Sequence, residues 1–215
     1  MTPPPLQRWL RETPLVVTGC GVCSAAGLSP HELWKTALGA QSPAVFREFP
    51  LPGGPRRPAV CAAPDVEIAG ATGARLRRMD RSARLGWHAA AGALRMAGLA
   101  SGHGGLVLGV MAGTSRGPAG RLAEACARLA GRRYPATLSA DCTLASLSGV
   151  IAQRLGAQGP GATVAATCAS GAVALGLAAE QLLLGKAEVM LAGAADAPLV
   201  PLVIAQLEAA GVLGS

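Results

Sequence analysis

A single cysteine, set between an apolar run and a stretch of small residues, has the clearest capacity for chemistry in this chain of 215 residues. Residues 162–176 read Ala-Thr-Val-Ala-Ala-Thr-Cys-Ala-Ser-Gly-Ala-Val-Ala-Leu-Gly, with Cys168 near the middle. Residues 162–167 follow the turn signal Gly159-Pro160-Gly161 and predict a short buried strand. Residues 169–185 are dominated by Ala, Leu and Gly without proline and predict a helix, with small residues on nearly every face, as in a helix packed on all sides. A thiol at that junction faces the unpaired amides and positive end of the helix, which favour the thiolate. A buried structural cysteine is the other reading, the common fate of a free Cys. Local pattern leaves both open. No Gly-x-Ser-x-Gly accompanies the junction.

Other reactive residues carry weaker signals. Cys20-Gly21-Val22-Cys23 has redox or zinc spacing, but no second pair at ligand spacing exists, so no metal site is expected. The remaining cysteines, Cys61, Cys126 and Cys142, read as small core fillers in a reducing, cytoplasmic protein. His31 falls in the first turn of a predicted helix, His88 on a polar helix face and His103 in a Ser-Gly-His-Gly-Gly loop, none beside an evident partner. A formal charge of +7 fits an acidic partner. Nucleic acid is disfavoured, because three Trp, one Tyr and two Phe leave few stacking platforms and no reading motif is present. Mean hydropathy is +0.39. The most apolar windows, 162–184 and 187–205, contain Glu180, Gln181, Asp196, Pro198 and Pro201 and read as buried segments rather than membrane spans. The N-terminus lacks the apolar core of a secretory signal, and residues 1–14 read as a loose extension.

The elements that must position Cys168 alternate between strand and helix. Residues 15–18 predict a first strand, followed by a Gly-rich turn. Ser29-Pro30-His31-Glu32 is a capping box with proline at the first helical position, opening a helix over about 30–38. Residues 41–72 are proline-rich and irregular, with short strands expected near Val60 and Val66. Asp80 caps a helix whose apolar stripe is Ala83, Trp87, Ala90, Leu94 and Ala97. A strand over 106–112, helices over 117–130 and 142–155, a strand at 189–192 and a helix over about 202–210 complete the pattern. Apolar strands alternating with helices predict an α/β protein with a covered, mostly parallel sheet and no internal repeat.

Thr167-Cys168-Ala169-Ser170-Gly171 after an apolar strand resembles the active-site segment of β-ketoacyl-acyl-carrier-protein synthases. Further stretches fit in that family's order: Val16-Val17-Thr18-Gly19-Cys20-Gly21 with Ser24 and Gly27; Leu33-Trp34 with Leu38-Gly39 and Ser42; Arg78-Met79-Asp80-Arg81; Gly159-Pro160; and Lys186 through Gly193. The resemblance spans residues 15–213 and covers the family's first half. It implies the thiolase-like αβαβα layered fold, of which residues 15–215 supply the N-terminal half.

The resemblance also implies a chemistry. Cys168 would take an acyl group from a carrier thioester, and a decarboxylated malonyl-carrier would attack it, in fatty-acid or polyketide synthesis and without a cofactor. The Cys168 amide would be one oxyanion donor. The second donor and two decarboxylating histidines belong to the family's other half, and none of the three histidines here matches them. The chain is therefore expected to be incomplete for condensation, as a fragment, a truncated frame or one part of a split enzyme. Arg77, Arg78, Arg132 and Arg133 resemble in position the residues that receive acyl carrier protein. Arg116, within Gly113-Thr114-Ser115-Arg116-Gly117, and Leu207 fall where the family lines its acyl pocket. A buried Arg116 would need an acidic partner, so it would turn outward or the pocket would be short or polar. A homodimer, or a heterodimer with a complete synthase, is implied. A non-catalytic partner offering a dimer or docking surface is the alternative, and a cysteine hydrolase with a local histidine a third.

Overall fold

Six consecutive buried residues form the middle of the molecule, in a computed structural model that describes residues 14–68, 79–99, 103–128, 136 and 138–213. They are strand β3, Leu108–Gly113, which pairs in parallel with β4, Gly161–Val164, on one side and β5, Val189–Ala194, on the other. A strand covered on both faces needs no polar alternation, and Leu-Gly-Val-Met-Ala-Gly has none. Successive side chains still point to opposite faces. Val110 and Ala112 pack with Ala83 and Ala90 of one helix, Arg81–Met96, and with Leu147 and Ile151 of another, Ser146–Leu155. Met111 points the other way, onto Ala174 and Ala178 of the helix Ser170–Leu183. One sheet thus lies between two helix layers.

In chain order the helices are α1 (Pro30–Leu38), α2 (Arg81–Met96), α3 (Ala119–Arg128), the single turn α4 (Leu138–Asp141), α5 (Ser146–Leu155), α6 (Ser170–Leu183) and α7 (Pro201–Ala209). Their starts are written locally. The Ser29 hydroxyl accepts from the Glu32 amide, and the Glu32 carboxylate accepts from the Leu28 amide at 2.7 Å, which holds its carboxyl below the usual range. Asp80 accepts from the Ser82 amide at 2.8 Å and also from the Arg121 amide at 3.1 Å, so one buried carboxylate serves the first turns of α2 and α3. The Arg154 guanidinium of α5 lies 4.8 Å from the Trp87 ring centre and ties α5 to α2.

A smaller body of chain packs beside this unit. Strands β1 (Val45–Phe46) and β2 (Ala59–Val60) pair antiparallel, and Phe49 and Val60 bury Ile204 of α7 between them. Arg56 and Glu208 form an ion pair across the same contact.

Three expectations about strands and helices change. Residues 15–18 are not a strand. Their neighbour Gly21 is pressed onto α2, where a Cβ would fall 1.8 Å from the Ala89 carbonyl oxygen, and Val16 and Val17 stay exposed. The second short strand of the proline-rich stretch lies at Val45–Phe46, not near Val66, because the chain folds back through the isolated bridge Phe49–Arg56 to bring 45–46 against 59–60. Helix α6 buries one face, Ser170, Ala174 and Ala178, while Val173, Leu175 and Leu184 are exposed, since the sheet supplies a neighbour on one side only.

Candidate active site

Parallel register brings the carboxyl ends of the three strands level, with Gly113 opposite both Val164 and Ala194. The connections leaving β3, β4 and β5 therefore start at one edge of the sheet, the place where open α/β sheets hold their ligands. Cys168 lies on the middle connection of the three in chain order, in a 3-10 turn, Thr167–Ala169, between β4 and α6. The thiol is exposed. The chain reverses within three residues because Ala166 takes φ −136°, ψ 41° and Thr167 a positive φ of 49°. That conformation is unfavourable for a β-branched residue by about 1–3 kcal/mol and persists only where the surroundings impose it.

The surroundings are three polar side chains. Ser170, which begins α6, is buried. Its hydroxyl accepts from the Ala166 amide at 2.9 Å and lies 2.7 Å from the Thr167 carbonyl and 3.0 Å from the Thr114 carbonyl. One hydroxyl proton serves both carbonyls. Thr114, fully buried, donates its hydroxyl to Asp196 at 2.9 Å and accepts from the Gly117 amide at 3.0 Å. The Asp196 carboxylate also accepts from the Ser115 amide at 2.8 Å and the Arg116 amide at 2.9 Å. Gly113 allows the backbones to approach: a Cβ there would sit 2.4 Å from the Ser170 carbonyl oxygen. Each strand end thus contributes one polar residue, Thr114 after β3, Ser170 after β4 and Asp196 after β5.

The other named residues sort differently. Arg116 is exposed and turned outward, its guanidinium 3.4 Å from Gln206 on α7, next to the half-buried Leu207. The two segments assigned to the acyl pocket therefore touch. Arg77, Arg78, Arg132 and Arg133 lie outside the described residues. His31 is exposed, and among the described residues none of His31, His88 and His103 is hydrogen-bonded to Cys168. All six cysteines are free, and Cys61 and Cys126, expected as core fillers, are exposed. Burial pushes the Cys142 and Cys23 thiols up, with Arg121 and Arg81 respectively opposing the shift. Among the described residues, no group of three or more His, Cys, Asp or Glu could hold a metal. No helix among them is long and apolar enough to cross a membrane. An apolar hollow of about 430 Å³ lies between residues 15–21, α2, β5 and α6, lined among others by Val17, Ala93, Met190 and Leu175. Cys168, Arg116 and Leu207 are not part of it.

Comparison with known proteins agrees on one family. The model of the β-ketoacyl synthase N-terminal domain matches residues 12–215. A protein of Streptomyces halstedii named "Putative polyketide beta-ketoacyl synthase 1" is 31% identical over 208 residues, covering 91% of this chain and 49% of its own. Among solved structures, a type II polyketide ketosynthase bound to a hexaketide, in complex with its acyl-carrier protein, is 27% identical with a TM-score of 0.71, over 91% of this chain and 48% of that one. The ishigamide ketosynthase/chain length factor is 25% identical with a TM-score of 0.77, over 91% and 50%. The chain spans about half the length of the curated relatives it matches.

Proposed function

The chain belongs to the β-ketoacyl synthase family through its N-terminal domain, and from that premise we propose that it supplies the acyl-accepting half of a condensing enzyme, with Cys168 as the nucleophile. The carrying observation is an exposed thiol on a strained strand-to-helix turn, at the edge where three parallel strands end. Sulfur is already a strong nucleophile near neutrality. The Cys168 thiolate would add to the carbonyl of an acyl-carrier thioester, the tetrahedral adduct would expel the carrier thiolate, and that thiolate would take up the proton Cys168 released. The product is an acyl thioester on Cys168 and a free carrier thiol. An N–H at the turn would face the developing oxyanion.

Carbon–carbon bond formation is the finer step. It requires decarboxylation of malonyl-carrier and attack of the resulting carbanion on the acyl-Cys168 thioester, in fatty-acid or polyketide synthesis. The resemblance implies that the groups for that step, two histidines and a second oxyanion donor, belong to the family's other half, and among the described residues none of this chain's three histidines is hydrogen-bonded to Cys168. The segments that carry Arg116 and Leu207 touch, and through them the acyl chain would be bordered, with the Arg116 guanidinium turned outward. The acidic carrier would meet Arg77, Arg78, Arg132 and Arg133, in a cytoplasmic enzyme paired as a homodimer or heterodimer.

Incubation with an acyl-carrier thioester followed by intact-mass measurement tests the reading. One acyl adduct is expected, absent in Cys168→Ala, with its formation slowed by added salt and by Arg77→Glu with Arg78→Glu. An adduct that survives in Cys168→Ala would remove Cys168 from the role. Salt-independent transfer would remove the basic residues from docking.

A further inference from the structure

The geometry points to Ser170 and Asp196 as positioning residues for Cys168, acting as one relay through Thr114. This rests on the reading of Cys168 as the acyl acceptor and adds the residues that hold it in place. Ser170 is 3% exposed and Thr114 0% exposed, so neither hydroxyl is placed for solvent. The Ser170 hydroxyl is committed to the turn and the Thr114 hydroxyl to Asp196 and the Gly117 amide. Ser170 bonds the amide two residues before Cys168 and the carbonyl one residue before it. It also reaches the Thr114 carbonyl, on the loop after β3. That loop has no helix of its own to fix it between Gly113 and Pro118. It is fixed by Asp196, whose two carboxylate oxygens take the Thr114 hydroxyl and the Ser115 and Arg116 amides.

The chemistry of Asp196 is specific. Both of its oxygens must accept, since every group presented to them is a donor. An asparagine of the same shape would turn an NH2 toward an N–H or O–H and loosen the loop. The Thr114 carbonyl would then drift from Ser170. Loss of the Ser170 hydroxyl would act at the other end, leaving the Ala166 amide and the Thr167 carbonyl without their partner. Thr167 would then relax from its positive φ, and the thiol would move with it. Small displacements of a reacting atom have large kinetic effects, with about 1 Å able to cost on the order of 100-fold.

The experiment measures two rates on the 215-residue chain: acyl transfer to Cys168 from an acyl-carrier thioester, and alkylation of Cys168 by iodoacetamide, with exposed Cys61 as internal reference. Ser170→Ala and Asp196→Asn are each expected to slow acyl transfer about tenfold or more and to lower Cys168 alkylation relative to Cys61. Ser170→Thr, which keeps the hydroxyl, restores both. The double variant is no slower than the slower single variant, because both substitutions cut one relay. Should Ser170→Ala fail to fold, Asp196→Asn with thermal unfolding as control decides alone. Rates within twofold of the parent, or single effects that multiply in the double variant, would overturn the relay. The two failures are distinct: an acyl group found elsewhere than Cys168 defeats the proposed function, whereas unchanged rates at Cys168 defeat only the positioning.

Discussion

Two apolar runs of similar composition end up in opposite conditions. Ala162-Thr163-Val164 becomes half of a ladder, in register with Met111, Ala112 and Gly113 and continued into the turn that holds Cys168. Leu15-Val16-Val17-Thr18 stays unpaired, with Val16 71% and Val17 87% exposed, and a hollow separates it from the sheet. β-Propensity does not account for the difference, since Val-Val-Thr is the better strand former. Position does. The 161–164 run emerges from Gly159, whose amide bonds the Leu108 carbonyl and starts the register, whereas 15–18 leads into Gly19 and Gly21, which hold it against α2. A run forms a strand when an open edge meets it, and a glycine contact can decide which surface it meets.

The contrast can be broken from the tight side first. Gly113→Ala puts a methyl 2.4 Å from the Ser170 carbonyl oxygen and 3.0 Å from the Gly171 nitrogen, both backbone atoms that cannot step aside. A loss of about 1–3 kcal/mol in urea unfolding is expected, with acyl transfer to Cys168 abolished because the turn is displaced. Parental stability in that variant would mean the strand ends are less tightly joined than their hydrogen bonds suggest.

Gly21→Ala makes a collision that is closer still, 1.8 Å from the Ala89 carbonyl oxygen, yet a smaller loss is expected. Residues 15–18 have no ladder to break and can lift away from α2. The expected cost is about 1 kcal/mol or less, with faster amide exchange confined to the residues near 15–21 and Cys168 acylation unchanged. A cost equal to that of Gly113→Ala would erase the distinction between the two regions.

The smallest effect concerns Cys23, two residues past Gly21. Burial raises its thiol pKa, with Arg81 opposing, so the thiol stays protonated to higher pH than an exposed one. The sign follows from linkage: its contribution to stability is fully present below the ordinary thiol range and is lost as pH rises through the raised value. Maleimide labelling of Cys23 should trail that of exposed Cys20 as pH is raised, and the gap should close in Gly21→Ala. An unchanged gap there would show that Cys23 is covered by something other than the segment's seat on α2.

The order of strands and helices, the caps at Ser29 and Asp80 and the junction carrying Cys168 were legible in the sequence. Periodicity, caps and turn residues act over a few positions, and the structure returns most of them within a few residues of the predicted bounds. The outward turn of Arg116 was one of the alternatives open in the sequence, but Gln206 as its partner was not legible there. Thr114, Ser170 and Asp196 passed unnoticed in their joint role. Each is an ordinary polar residue locally.

By itself, then, the sequence determined the α/β class, the family and the position of the nucleophile candidate on a strand-to-helix turn. Tertiary structure alone decided which apolar runs pair and how the turn is held. The physical reason is the range of the interactions. A capping hydroxyl meets an amide three residues away, whereas the bond between Thr114 and Asp196 joins residues 82 apart and that between Ser170 and Thr114 residues 56 apart. Such partners meet only after β3, β4 and β5 have paired in register.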